Sequence, residues 1–175
     1  MNCQHEIGKC SDSSFDLRVA LGHRALTQAE TGLGYVAIEH HIRFHRELRA
    51  SDLVVIRAGV VEVRDKTLRI YQEMREALDG TLAATFVVDT GCLDLATRRL
   101  APWPEHVRAA AQNLQTELPA EALPRSIPRE AVERDVSLAR ADELGMVETN
   151  RSVVNTWECD TNNHMNARFF MARFS

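Results

Sequence analysis

The 175-residue sequence predicts an α+β fold, with one long helix packed on an antiparallel sheet. Three observations predict it. Apolar residues recur at helical spacing over 11–31 and stop at glycines. Four later segments carry period-two or β-branched strand character. Those segments run on without a helix between them, which argues against a doubly wound parallel sheet.

The helix comes first. Ser11, Asp12, Ser13 and Ser14 offer N-caps. Phe15, Val19, Leu26 and Ala29 follow at helical spacing, with Leu21 and Ala25 beside them. Gly32 and Gly34 stand where a left-handed C-cap wants glycine. Residues 35–44 then switch to period two. Val36, Ile38, His40, Ile42 and Phe44 fall on one face; Tyr35, Ala37, Glu39, His41 and Arg43 fall on the other. The β-branched run 53–63 reads as a second strand. A polar turn at 64–66 leads to a third strand over 67–76, where Leu68, Ile70, Gln72 and Met74 share a face. Asp79 and Gly80 mark a tight turn into a fourth strand over 81–93. Strands so joined predict a four-stranded antiparallel meander, one face covered by the helix.

Beyond residue 100 the composition changes. All five prolines lie between 102 and 128. Residues 105–118 can form a helix with Val107, Ala110, Ala111 and Leu114 on one side. The stretch 101–148 reads as a connector with one or two surface helices. Strand character returns at Val153, Val154 and Trp157. The sequence ECDTNNHMN occupies 158–166, and ARFFMARFS opens like an apolar helix.

Composition excludes several classes. The formal net charge is −4 and the pI about 6.0, against a phosphate-tracking nucleic-acid binder. Aromatic residues are 6% of the chain, too few for a base-stacking platform. No apolar run reaches about 18 residues, so no membrane span is expected. The N-terminus lacks an apolar signal core. The four cysteines, Cys3, Cys10, Cys92 and Cys159, form no CxxC pair and read as reduced thiols in a cytoplasmic protein. His5, His40, His41 and His45 find no carboxylate or cysteine at ligand spacing, so no metal is expected. No cofactor is expected either.

The two ends resemble each other. Laid over MNARFFMARFS at 165–175, MNCQHEIGKCS at 1–11 matches in Met, Asn and Ser, and both segments open a helix. If this is a repeat, the chain begins at the helix of one module and ends just inside the helix of the next. The expected division is a module over 1–100 lacking its first strand, a connector over 101–148, and the first strand and helix start of a second module over 149–175.

A strand, the turn Asp160-Thr161-Asn162-Asn163-His164-Met165-Asn166, a long helix and an antiparallel meander together resemble the hotdog-fold acyl-CoA thioesterases. The likeness is to the 4-hydroxybenzoyl-CoA thioesterase-like branch. The run HHIRFHRELRASDLVVI at 40–56 resembles that family's second strand, turn and third strand. The connector is similar to that of a tandem, double-hotdog protein. The resemblance implies a hotdog fold, incomplete or circularly permuted, and hydrolysis of an acyl-CoA substrate to a carboxylate and coenzyme A. It implies Asp160 as general base or nucleophile, with backbone amides around Asn163 to Met165 directed at the thioester oxygen from a helix N-terminus. It also implies a homodimer or higher homo-oligomer. Family members often carry glycine where Asn163 stands; asparagine is among the few residues that tolerate φ > 0.

Each site residue has a plainer reading. Asp160 is also a good N-cap. His164 either orients substrate or water, or is a surface histidine at a helix start. Asn166 reads as holding the turn. His40 reads as a core histidine, Cys159 as a small apolar residue. Arg43, Arg46, Arg49 and Arg57 either meet coenzyme A phosphates or line a solvated strand edge. Two other functions compete: a non-catalytic hotdog module that only dimerises, and a hotdog enoyl-CoA hydratase. The hydratase resemblance asks for Asp and His five positions apart; Asp160 and His164 are four apart. Finally, residues 150–175 are expected to fold back and give the sheet its first strand, with Trp157 contributing roughly 2–3 kcal/mol if buried.

Overall fold

Strand β3, Thr67–Glu76, shows how burial sorts the chain into layers. Leu68, Ile70, Gln72 and Met74 are all buried on the face that α1, Cys3–Ala20, covers. In the computed structural model, which describes residues 3–23, 29–124, 137–160 and 163–174, the sheet consists of five strands. These are β1 Leu33–Phe44, β2 Val54–Val63, β3, β4 Leu82–Asp94 and the short β5 Arg99–Leu100. A long helix on an antiparallel sheet is the α+β hotdog arrangement.

The expected helix over 11–31 is displaced toward the N-terminus. The serine run lies inside α1 rather than capping it, because the Ser14 hydroxyl donates back to the Cys10 carbonyl at 3.0 Å. The helix stops at Gly22, where φ is +75°. Gly22 N–H reaches the Val19 carbonyl and His23 N–H the Arg18 carbonyl, the paired bonds of a Schellman cap. Ala25 and Leu26 lie outside the described residues. Gln72 pins α1 to the sheet. Its amide nitrogen donates to the Cys10 carbonyl and to Ser14 Oγ, and the Cys10 thiol donates to its oxygen.

The strands do not form a simple meander. Their order is β1-β4-β3-β2, every pair antiparallel. Tight turns keep β2, β3 and β4 adjacent. Residues 45–53 are long enough to pass the ends of the other strands, a distance of roughly 14 Å at about 4.8 Å per strand. β1 therefore pairs with β4 from Leu33↔Asp94 to Phe44↔Ala84. A bulge at Ile38 breaks its alternation, since Ala37 opposes Thr90 while Glu39 opposes Asp89. The face directed at α1 is consequently Tyr35, Ala37, His40 and Ile42, not the expected set with Val36 and Ile38.

The connector does more than cross the surface. Helix α2, Glu105–Asn113, buries Val107 and Ala111 with Trp103 against Leu17, Leu21 and Val60. It ends before residue 118 because the chain turns there to lie along β2. Val60 N–H donates to the Leu114 carbonyl, and Thr116 N–H to the Val60 carbonyl, both at 2.9 Å. Gly59 makes room: a Cβ there would stand 2.6 Å from Thr116 Cγ2. A 3₁₀ turn, Ala120–Ala122, then packs on the opposite face of the sheet beside Tyr71 and Val87. Helix α3, Leu138–Glu143, has no buried residue.

This edge contact explains why the tail adds no first strand. The bonds on the free side of Val60 already go to the connector. Residues 150–155 form no strand, and Trp157 is 73% exposed instead of buried. The tail docks through α4, Ala167–Ala172, where Met171 packs with Ile7 and Cys10, and through an Arg168–Asp12 ion pair.

Candidate active site

The tail turn is built on a buried carboxylate. Glu158, 8% exposed, accepts from the Asn155 amide at 2.6 Å and pairs with Arg173 at 2.8 and 2.9 Å. Cys159 and Met165 then face each other as a two-stranded bridge. Asp160 N–H donates to the His164 carbonyl and Asn166 N–H to the Glu158 carbonyl, both at 2.8 Å. Asn163 closes the turn at φ +57°, the conformation its side chain tolerates. Asn166 caps α4, its Oδ1 accepting from Arg168 N–H at 3.0 Å. Thr161 and Asn162 lie outside the described residues.

The amides expected to face a thioester oxygen are largely engaged inside this turn. Asn163 N–H donates to the Asp160 carbonyl at 3.0 Å, and His164 N–H to Asp160 Oδ1 at 3.3 Å. Met165 N–H makes no such bond among the described residues. Helix α4 has six residues, too few to build the aligned dipole that a longer helix offers.

Asp160 and His164 nonetheless share one cavity of about 560 Å³. That size lies within the ~300–1,000 Å³ range of small-molecule pockets. α1 contributes Ile7, Phe15 and Arg18; β1 contributes Tyr35, His40 and Ile42; the tail adds Met165, Asn166, Phe170 and Met171. The walls are mostly apolar, so charges inside are poorly screened. Desolvation pushes the Tyr35 phenol up to about 12, partly offset by its hydrogen bond with Thr90. His40 keeps solvent contact at the rim, yet the surrounding walls lower its imidazole below the usual range. Burial also lowers the Arg18 guanidinium, with Tyr35 and Asp160 acting the other way through space.

His164 is held from outside the tail. Arg98, at φ +58° in the turn between β4 and β5, meets His164 Nε2. A guanidinium only donates, so that nitrogen is the acceptor in this contact. Arg43 donates to the carbonyls of Ala120 and Leu123, and Arg46 pairs with Asp79. Both serve the fold. Cys10 and Cys92 are buried free thiols raised by desolvation, and Cys159 is a partly buried free thiol. Among the described residues no group of three or more His, Cys, Asp or Glu side chains could hold a metal ion. None of the helices there is long and apolar enough to cross a membrane.

Four site residues escape sequence reasoning: Arg18, Tyr35, Arg98 and Glu158. Phe15 and Arg18 stand three apart on α1, a spacing that places them together. Tyr35 reaches the cavity only because of the Ile38 bulge. Arg98 carries no local signal, whereas Glu158 stands three residues after Asn155, the spacing of a capping box.

The sequence profile of the thioesterase-like superfamily matches residues 7–111. The chain belongs to this superfamily. No curated protein sequence matches this thioesterase-like chain significantly. Its fold is similar to that of a hypothetical Staphylococcus aureus protein in complex with CoA, at 20% identity and TM-score 0.65, covering 73% of this chain and 84% of that one. It is also similar to a protein described as an oleoyl thioesterase of Lactobacillus plantarum, at 22% identity and TM-score 0.71, covering 97% and 60%. A third likeness is to the 12:0-ACP thioesterase of Umbellularia californica, at 13% identity and TM-score 0.72, covering 98% and 65%. The thioesterase-like chain therefore spans less than two thirds of the latter two. At these identities the likeness is one of fold.

Proposed function

We propose that this chain hydrolyses an acyl-CoA thioester to a carboxylate and free coenzyme A, with Asp160 as general base or nucleophile. The observation that carries the reading is the position of the Asp160 carboxylate in the wall of an apolar cavity between α1, β1 and the tail. A carboxylate there can take a proton from water, or attack the thioester carbon directly through a mixed anhydride. His164 and Asn166 position the turn that presents it, and Asn163 and Met165 shape the entry to α4. The superfamily and the CoA complex of the Staphylococcus aureus neighbour support an acyl-CoA as substrate. The same reading takes 1–100 as one hotdog module, 101–148 as a connector and 149–175 as the start of another. The partial coverage of the two longer neighbours supports that division. It also takes the working unit as a cytoplasmic homodimer or higher homo-oligomer.

A free-thiol assay over a panel of aromatic, short-chain and long-chain acyl-CoA thioesters tests the function. Thiol release by the unmodified chain is expected, with a loss of about 10²–10⁴-fold in Asp160→Ala. Full activity in that variant sinks the assignment. Hydration of an enoyl-CoA in place of thiol release would favour the hydratase instead.

A further inference from the structure

Arg18 lies inside the cavity with no direct ion pair or hydrogen bond among the described residues, and Asp160 acts on it only through space. It lies on the last turn of α1, in the cavity wall, and is 6% exposed. Phe15 and Tyr35 stack on its guanidinium, each ring centroid 4.9 Å from Cζ. Stacking uses the face of the guanidinium and leaves the five N–H donors in its plane. Its Nε is buried without a hydrogen-bond partner among the described residues. Among the described residues no oxygen accepts a hydrogen bond from Arg18, and no carboxylate stands within ion-pair distance of it. Burying a charge without a partner is strongly unfavourable. The stacked rings fix its orientation, so the donor edge is ready for an anion before one arrives.

The tail turn supplies a complementary observation. Of the three amides expected to receive a thioester oxygen, those of Asn163 and His164 already bond to Asp160. A developing oxyanion needs several donors aimed at it. The main chain of the turn leaves it short of them.

We infer that Arg18 is the anion-binding group of the cavity, receiving the thioester oxygen as it turns negative and then the carboxylate product. The first half rests on the proposed hydrolysis; the second stands on the cavity alone. In the base-catalysed route, Asp160 takes one proton from water while the water oxygen bonds to the carbonyl carbon. The π electron pair moves onto the carbonyl oxygen, which the Arg18 edge holds. Collapse of that oxyanion breaks the carbon–sulfur bond. The leaving coenzyme A thiolate takes the proton from Asp160, and the carboxylic acid ionises to water. Arg18 thus faces negative charge on the same oxygen before and after the bond breaks.

The test uses octanoate, with octan-1-ol as its uncharged counterpart, measured by calorimetry and thermal shift on the full chain. Arg18→Met keeps an unbranched, flexible apolar stem and removes the charge and the donors. Octanoate is expected to bind the unmodified chain at least about tenfold more tightly than Arg18→Met, while octan-1-ol binds both alike. In the thiol assay, kcat of Arg18→Met is expected to fall by about 10²-fold or more with little change in KM. Equal octanoate affinity in the two chains overturns the inference. Should Arg18→Met not fold, the unmodified chain decides, and octanoate binding no tighter than octan-1-ol overturns it. Absence of thiol release with the octanoate preference intact defeats the proposed hydrolysis and leaves the anion site standing.

Discussion

On β3 every second side chain disappears from solvent against α1, whereas over 150–157 the side chains of Val153, Val154 and Trp157 face water. The first region is held by apolar area; the tail adds to the apolar contact of Met171 a set of charges and hydrogen bonds: Glu158 with Arg173, Arg168 with Asp12, Arg98 with His164. Apolar area acts over the whole contact and fixes register, because slipping a strand by one residue turns its face outward. A few polar contacts fix geometry but contribute modest net stability each. The segment that carries Asp160 is thus fastened onto a core that does not depend on it. The family profile, which matches 7–111, follows the same division.

The sharpest way to break this contrast is in the core. Phe86 is fully buried on β4 beneath α1. Phe86→Ala is expected to cost about 3–5 kcal/mol in denaturant unfolding, through lost transfer energy and the cavity left behind. In the tail, Glu158→Ala strands Arg173 and frees the Asn155 amide. A smaller loss of about 1–3 kcal/mol is expected, confined to the docking of the tail. Limited proteolysis should then cut within 150–174 while the core melts almost unchanged, and thiol release should fall with it. A drop in core melting as large as that of Phe86→Ala would erase the distinction.

Acid separates the regions by another route. His23, buried edge-on against Trp103 with neither ring nitrogen hydrogen-bonded among the described residues, titrates below the usual 6.5 because of desolvation, with Arg18 and His106 adding to the effect. His40 is shifted the same way by desolvation. Just below pH 6.5 the unfolded chain therefore binds protons that the folded chain refuses. The stability these groups contribute is full above that pH and is lost as pH falls toward their lower folded values. Melting temperature should fall below about pH 6.5, and His23→Phe should flatten the profile, as thermal scans across pH would show. The smallest effect belongs to the tail. Trp157→Ala is expected to stay within about 0.5 kcal/mol, since the ring is already solvated. A larger loss in a denaturant titration would mean that the ring is covered in solution.

The same division governs what could be read from the residues alone. The strand over 67–76 announces itself because burial imposes a period of two on its side chains, and that over 82–94 because burial on both faces leaves a continuous apolar and β-branched run. Helix α1 was harder to delimit: serine, usually a cap, here bonds to its own helix, and the stop is Gly22 rather than the later glycines. Strand order was not legible, because nothing within residues 45–53 states which edge the chain will reach. Nor was the role of Gly59, whose meaning lies in Thr116, far along the chain. For the candidate site, the types and spacing of Asp160, His164 and Asn166 were visible. Arg18 and Arg98 come from α1 and the β4–β5 turn, and only folding brings the first to the cavity that Asp160 lines and the second to His164. Trp157 is exposed although a large apolar ring suggests burial, because the place along β2 that its segment would need is taken by the connector.

The bulge at Ile38 makes the cavity lining tolerant of a change in chain length at that point. Side-chain replacement at Ile38 alters one point on the surface of β1. Removing that residue would leave Ala37 and Glu39 as consecutive partners of Thr90 and Asp89, with Tyr35, Ala37 and His40 still facing inward. Arg18 would keep both of its stacked rings in the same event. Within a lineage, a codon lost at the bulge could therefore pass without disturbing the cavity, whereas one lost from a paired position on either side would turn part of the strand over.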